Sequence, residues 1–410
     1  MPLFTTSPFP PNPLLVQALD FIFPHRYPFD HTSKTILLAP YEHNRSAYDA
    51  IVSSPNPPYP FEQGSILNSI FPSTFYTESL RSVYPLYFAV AYYVLAHWLS
   101  GAVKRNGSKD YVKGNPLLRF IVLVHNAFLM LFSAWTWIHV FPVAVDYISQ
   151  GLRGAGFEGV KLALCTFSTE ARYLNKFNYL FYLSKYYEVV DSVILLLKGR
   201  QVGQLQSYHH AGALISMWIA VRFGSECVWV FTTWNSFVHT LMYTYYLFTA
   251  LHLPFPRTLK RSLTSLQIAQ IASGTLATNL YWFLRINPGA VLQGIAKRHV
   301  GSTIAAASLI VRQFFSFQES PVLQSTEYTH LDLAHNARFR QESKSPTSCF
   351  DTTGATLALW VNTFYMLPLL FLFAQFFVNS YISGGSASRK GKANRYEHKT
   401  LANGNGKAKT

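Results

Sequence analysis

Lys185, Glu188 and Asp191 recur every third residue inside a stretch, 177–197, that is otherwise apolar enough to cross a membrane. A charge at mid-bilayer costs about 2.5–3.5 kcal/mol even on a lenient insertion scale, so three unpaired charges would cost on the order of 8–10 kcal/mol. On one helix their spacing makes a single stripe, which must face the interior of a bundle where charges can pair or meet water. Alone, such a stripe reads equally well as an ion pair that fixes helix packing. The next segment, "QLQSYHHAGAL", adds chemistry, because a neutral imidazole is both nucleophile and base near pH 7. Gln206 and His210 share a helix face there, with His209 alongside. In "WNSFVHTLMYTYY", Asn235, His239, Tyr243 and Tyr246 line one face. Thr264, Gln267 and Gln270 recur at every third position of "LTSLQIAQ", a pattern that alone would be ordinary helix-packing glue.

Such groups need a membrane-embedded scaffold. Half of the chain is hydrophobic (50%) and only 13% is charged, against about 25% charged in a soluble domain. Segments free of Asp, Glu, Lys and Arg run 82–103, 120–145, 201–221, 227–256, 262–284 and 352–388. Each meets the roughly 20-residue requirement for a membrane-crossing helix. With 177–197 they predict an all-α integral membrane protein of seven transmembrane helices. Basic residues follow the first helix (Lys104, Arg105, Lys109, Lys113, Arg119), the third (Lys198, Arg200) and the fifth (Arg257, Lys260, Arg261), and recur at Arg389, Lys390, Lys392 and Arg395. Seven spans put them all on one side, which the positive-inside rule makes cytosolic. The N-terminus is then lumenal and the C-terminus cytosolic. Glu188, Asp191, His209, His210, His239 and Gln267 fall in the cytosolic half of the membrane. Convergence of four segments at one depth points to a functional pocket rather than to packing alone.

The expected organisation is an N-terminal lumenal or interfacial arm (1–80), helices one to six with the site (81–285), a long lumenal connection (286–351), helix seven (352–388) and a basic cytosolic tail (389–410). The arm, rich in proline and aromatics, reads as irregular. Within the connection, "VGSTIAAASLIVRQFFSF" carries Arg312 and reads as an interfacial helix. The opening "MPLFTTSPFPPNPLL" has no basic residue before Arg26, so a cleaved signal peptide is not expected. Cys165, Cys227 and Cys349 form no CxxC and all fall near the lumenal side, which permits one disulfide with one thiol left over and leaves the pairing open. The net charge of +15 lies beside apolar segments and in the tail, which excludes nucleic acid as the natural partner.

As a set, these motifs resemble the ELO family of very-long-chain fatty acid elongases, over roughly 80–285 and the final helix. The family's KxxExxDT is matched by Lys185, Glu188, Asp191 and Ser192. Its NxxVHxxMYxYY is matched by Asn235, Val238, His239, Met242, Tyr243, Tyr245 and Tyr246, and its TxxQxxQ by Thr264, Gln267 and Gln270. The departure is in HxxHH, where this chain has Gln206, His209 and His210.

The resemblance implies a multi-pass endoplasmic-reticulum enzyme that condenses malonyl-CoA with a long-chain acyl-CoA to give a 3-ketoacyl-CoA, CoA and carbon dioxide, with no metal or cofactor. Spacing leaves open which histidine would carry the acyl group. His210 is favoured for sharing the Gln206 face, with His239 as base or oxyanion donor. Glu188 or Asp191 would orient a ring nitrogen, and Asn235 and Gln267 would donate to developing oxyanions. Lys185 would pair with Glu188 or reach CoA, while Lys198, Arg200, Arg257, Lys260 and Arg261 are placed to meet its phosphates. Gln206, Tyr243, Tyr246 and Gln270 complete the substrate wall. Expected partners are membrane lipid and the reductases and dehydratase of an elongation cycle, with a homodimer left open. A desaturase-like di-iron enzyme needs more histidine clusters than this chain has, and a single zinc on His210, His239 and a carboxylate is the weaker metal reading. A seven-helix receptor or transporter fits the span count but has no need of a buried histidine pair.

Overall fold

The computed structural model describes residues 56–170, 172–300, 347–350 and 352–383. The expectations for residues 1–55, for 301–317 of the interfacial helix and for the tail 389–410 lie outside the described residues. Two short helices, α1 (Ile66–Ile70) and α2 (Ser73–Arg81), lead into α3 (Tyr84–Arg105) and α4 (Pro116–Ala155). There follow α5 (Phe157–Glu170), α6 (Arg172–Tyr187), α7 (Val190–Leu197), α8 (Gln204–Arg222), α9 (Val228–Ala250) and α10 (Arg257–Leu280). Strand β1 (Arg285–Ile286), α11 (Pro288–Val300), strand β2 (Thr347–Ser348) and α12 (Thr353–Phe377) complete the order.

The chain is predominantly helical. Three helices, α3, α4 and α12 with its continuation to Ile382, are long and apolar enough to cross a membrane. They turn Trp98, Phe120 and Phe371 outward and bury a face that includes small and polar residues, among them Ala96, Ser100, Ser133, Thr136 and Ala358. That inversion of the soluble pattern suits a lipid surround, where close helix approach and internal hydrogen bonding hold a bundle together. Helix starts are set locally: the Asn115 side chain accepts from the amides of Leu117 and Leu118, ahead of Pro116 at the first helical position. Thr352 Oγ1 accepts from the Ala355 amide and opens α12 in the same way.

Helix α9 packs along α4, α10 against α9 and α12, and α12 against α8. Helix α6 joins α8, α9 and α4, closing a ring, while α3 lies against α8 and α7. A cavity of about 610 Å³ runs inside this ring.

Several elements differ from the sequence expectation. The third predicted span is two helices, α6 and α7, separated at Glu188 and Val189, where the amides of Asp191 and Ser192 reach back only three residues. Helix α4 has 40 residues rather than the expected 26 of segment 120–145, and so extends about 60 Å at 1.5 Å per residue. It ends at Gly156 and is followed by the unexpected α5, which folds back along it. A Cβ on Gly151 would collide with the Gly159 backbone and the reverse holds, so this hairpin crosses too closely for a side chain at either position. The start of the long connection is helical (α11) and packs on α4 and α5.

The described part of the N-terminal arm is also ordered. Tyr76 and Leu80 are buried, Trp218 Nε1 donates to the Leu80 carbonyl at 2.9 Å, and Tyr182 OH donates to the Ser79 carbonyl at 3.1 Å. Cys165 of α5 is disulfide-bonded to Cys349, beside the antiparallel β1–β2 pair, while Cys227 is buried and free in the same apolar cluster.

Candidate active site

The cavity has a basic end and an apolar end. Lys198, Arg200 and Lys260 line it at the first, and Cys227, Val228 and Phe231 at the second. At the basic end, burial and the neighbouring Arg200 push the Lys198 ammonium below its ordinary range. His209 and His210 lie five and six residues into α8, about 8–9 Å along its axis. His239 comes from the antiparallel α9; its ring centre is 6.4 Å from that of His209, which is 5.5 Å from that of His210.

The charged motif is divided by the break between α6 and α7. Lys185 Nζ donates to Glu188 Oε1 at 2.6 Å and to Asn235 Oδ1 at 3.3 Å, and sits 3.8 Å from the centre of the Phe181 ring. Three favourable contacts hold this buried ammonium in place. The bond to Asn235 uses its carbonyl oxygen and leaves its amide hydrogens available on the cavity wall. Glu188 does not line the cavity; its Oε1 is 3.8 Å from His239 Nδ1, too long for a hydrogen bond.

Asp191 meets a different set. His125 Nε2 of α4 lies 2.9 Å from its Oδ1, and Tyr243 OH donates to its Oδ2 at 2.6 Å. The ring nitrogen that Asp191 meets is thus that of His125 on α4 rather than one of the α8 or α9 motif histidines, and its second oxygen is taken by Tyr243, one turn beyond His239 on the cavity face of α9. Ser192, the fourth motif position, takes a hydrogen bond from Gln206 Nε2 at 3.1 Å and pairs with Tyr92 OH at 2.8 Å.

Of the three motif histidines, His209 has a hydrogen-bonding side-chain partner. Tyr365 OH of α12 is 2.9 Å from His209 Nδ1 and donates to the His209 carbonyl at 3.1 Å. The two contacts are satisfied together when the hydroxyl hydrogen goes to the carbonyl and Nδ1–H donates to the hydroxyl oxygen, an arrangement that leaves the lone pair on His209 Nε2. Tyr365 can lie this close because the neighbouring α8 residue is Gly212; a Cβ there would run into the Tyr365 ring. His210 faces the edge of Tyr92 at 6.1 Å, and among the described residues no hydrogen bond orients its ring.

Lys185, Gln206, Tyr243, Tyr246, Gln267, Gln270, Lys198 and Arg200 all reach the cavity wall with His209, His210, His239, Asp191 and Asn235. Gln267 Nε2 donates to Met242 Sδ at 3.4 Å. Arg261 stacks on Phe377 and is not on the wall, and Arg257 opens α10 with its side chain outside the described set. Sequence reasoning missed His125 and Tyr365. Among the described residues, no three of His, Cys, Asp or Glu are grouped to hold a metal ion.

The motif residues of four separate segments thus share one cavity, and comparison with known proteins agrees with the resemblance they carry. The model of the GNS1/SUR4 (ELO) family matches residues 79–389. The chain belongs to this family. Fatty acid elongase 2 of Trypanosoma cruzi is 33% identical over 200 residues, 47% of this chain and 68% of that protein. Its namesake in Trypanosoma brucei brucei is 32% identical over 192 residues, 46% of this chain and 68% of that protein. Fatty acid elongase sre1 of Dictyostelium discoideum is 33% identical over 196 residues, 47% and 67% of the two chains. No solved structure matches. The match extends past α10 through α12, so the helix that supplies Tyr365 belongs to the ELO region of this chain.

Proposed function

We propose that this ELO-family chain is a 3-oxoacyl-CoA synthase that condenses malonyl-CoA with a long-chain acyl-CoA, through an acyl-histidine intermediate. The observation that carries the reading is His209, its tautomer set by Tyr365, open to a cavity with a cationic entrance and an apolar end. His209 Nε2 attacks the thioester carbonyl, the C–S bond breaks, and CoA leaves. Malonyl-CoA then loses carbon dioxide, the C–C electron pair forms an enolate, and the enolate attacks the acyl carbonyl and frees His209. The amide hydrogens of Asn235 and the ring of His239 stand ready for the developing oxyanion. His210, favoured from spacing, has no comparable orienting bond and becomes part of the wall.

The CoA phosphates would meet Lys198, Arg200 and Lys260, and the acyl chain would run toward Phe231 and Val228. Seven crossings, with this basic end cytosolic and the N-terminus lumenal, rest on the apolar segments and their basic flanks in the sequence, three of the described helices being long and apolar enough to cross. Residence in the endoplasmic reticulum, and cooperation with the reductases and dehydratase that would process a 3-ketoacyl-CoA, belong to the same reading, which requires no metal or cofactor. The test supplies membranes containing the protein with labelled malonyl-CoA and a panel of acyl-CoAs. Labelled 3-ketoacyl-CoA from wild type, abolished in His209→Ala and retained in part by His210→Ala, is the expected result. Full activity of His209→Ala would remove His209 as the acyl carrier.

A further inference from the structure

Ser216 stands seven residues beyond His209, on the same face of α8 and about 10 Å further along its axis. Its neighbours Ala213, Met217 and Ala220 line the cavity with it and are apolar. From α12, Asn362 joins the wall one turn after Ala358. Ser216 and Asn362 are only 6% and 7% exposed, so their polar atoms must be satisfied within the bundle or by what fills the cavity. We infer that this pair is a polar subsite for a long acyl chain bearing a hydroxyl near its middle. The inference rests on the condensation reading above and names a substrate class for it.

Hydrogen bonds fix the orientation of the pair. Thr278 Oγ1 of α10 donates to the Gly274 carbonyl at 3.0 Å, so toward Asn362 it can only accept. Asn362 Nδ2 is the group that donates to it, at 3.4 Å. Oδ1 then faces Ser216, whose Oγ donates to it at 3.2 Å. Two capacities remain, the second hydrogen of Asn362 Nδ2 and the lone pairs of Ser216 Oγ, and no hydrogen bond among the described residues uses either. Polar contacts that only tie helices together would leave the cavity wall apolar. Instead, Thr278, with its hydroxyl both donating and accepting, is fully buried off the wall, while the two residues with spare capacity line it.

A single hydroxyl uses both capacities: its hydrogen goes to Ser216 Oγ, and its oxygen accepts from Asn362 Nδ2. A carbonyl or ether oxygen could use only the second. An extended chain advances about 1.2 Å per bond, which puts the pair roughly eight bonds beyond a carbonyl held at His209. Elsewhere along the apolar end a hydroxyl would lose its water and find no partner. The subsite therefore favours one position of the hydroxyl over all others.

Displacement of a labelled saturated acyl-CoA from the detergent-solubilised protein tests this without turnover. The competitors are hydroxyacyl-CoAs of one chain length, with the hydroxyl moved carbon by carbon from the thioester to the terminus. Expected is an optimum at the depth of the pair, where displacement takes a roughly tenfold lower concentration than with the unsubstituted chain. Away from it, each hydroxyl should bind more weakly than no hydroxyl. Ser216→Ala with Asn362→Leu replaces both partners by apolar groups, which a fold tolerates better than removal of one, and should erase the optimum. A wild-type scan without an optimum, or an optimum that survives the double variant, overturns the subsite, and continued formation of 3-ketoacyl-CoA by the same protein leaves the condensation standing. If the saturated acyl-CoA neither binds nor is extended, the condensation reading falls and the subsite with it. Should the double variant fail to insert, the wild-type scan decides: an optimum at the depth of the pair supports the subsite, and one elsewhere overturns it.

Discussion

Lys185 Nζ and Glu188 Oε1 lie 2.6 Å apart with their side chains 3% and 2% exposed, joining the last turn of α6 to the break before α7. Removing one partner of a buried pair strands the other charge, at a cost of about 3–5 kcal/mol. Lys185→Met and Glu188→Met should each lower the thermal midpoint in detergent sharply. The double variant should recover much of that loss, since no lone charge remains. A double variant as unstable as the two losses added would show that the residues act independently.

Tyr365 and Gly212 make a second prediction. Tyr365→Phe removes the hydroxyl that holds His209, and kcat should fall roughly two- to twelvefold, the worth of one hydrogen bond of about 0.5–1.5 kcal/mol. Gly212→Ala should lower kcat further by displacing the Tyr365 ring, with substrate KM affected less than kcat. Steady-state assays of the two variants decide; a change confined to KM would place Tyr365 in substrate binding instead.

At the basic end, Lys198→Ala with Lys260→Ala should raise the KM for acyl-CoA several-fold and flatten its dependence on salt. An acyl-pantetheine, which lacks the nucleotide phosphates, should be affected little. Equal loss with both substrates would argue that these lysines support the fold rather than the nucleotide.

The Cys165–Cys349 disulfide joins residues 184 apart in sequence. A protease site placed within 301–346 should therefore give fragments that migrate together without reductant and separate with it. Cys165→Ser with Cys349→Ser should cost about 2–4 kcal/mol. Cys227, buried beside them, should resist alkylation until the protein is unfolded.

The motif helices were legible because their polar residues recur at helical spacing. Asn235, His239, Tyr243 and Tyr246 were readable as one face of α9, and all four line the cavity. Gln206, His209 and His210 were likewise readable on α8. His125 was not, since the residues three and four away from it on α4, Ile121, Val122, Phe128 and Leu129, are all apolar. The available signal was the neighbouring pair His125–Asn126 inside an apolar, charge-free segment, where polar side chains are costly enough to ask for a reason. Tyr365 gave no signal, because a tyrosine in an apolar helix is ordinary and its bond to His209 depends on a crossing that only Gly212 permits. The break at Glu188 and Val189 was invisible too: the motif spacing suits a continuous helix, and cross-bundle partners decide which charge goes where.

Tyr365 reaches His209 across 156 residues of sequence, from a helix that follows the long connection. During synthesis, α8 enters the membrane well before its partner has been translated. Until α12 docks, the His209 ring lacks the hydroxyl that selects its tautomer, and the cavity lacks one wall. On the condensation reading, a nascent or stalled chain would carry every motif histidine yet no assembled acyl acceptor, and reactive imidazole would be withheld from thioesters until biogenesis is nearly complete.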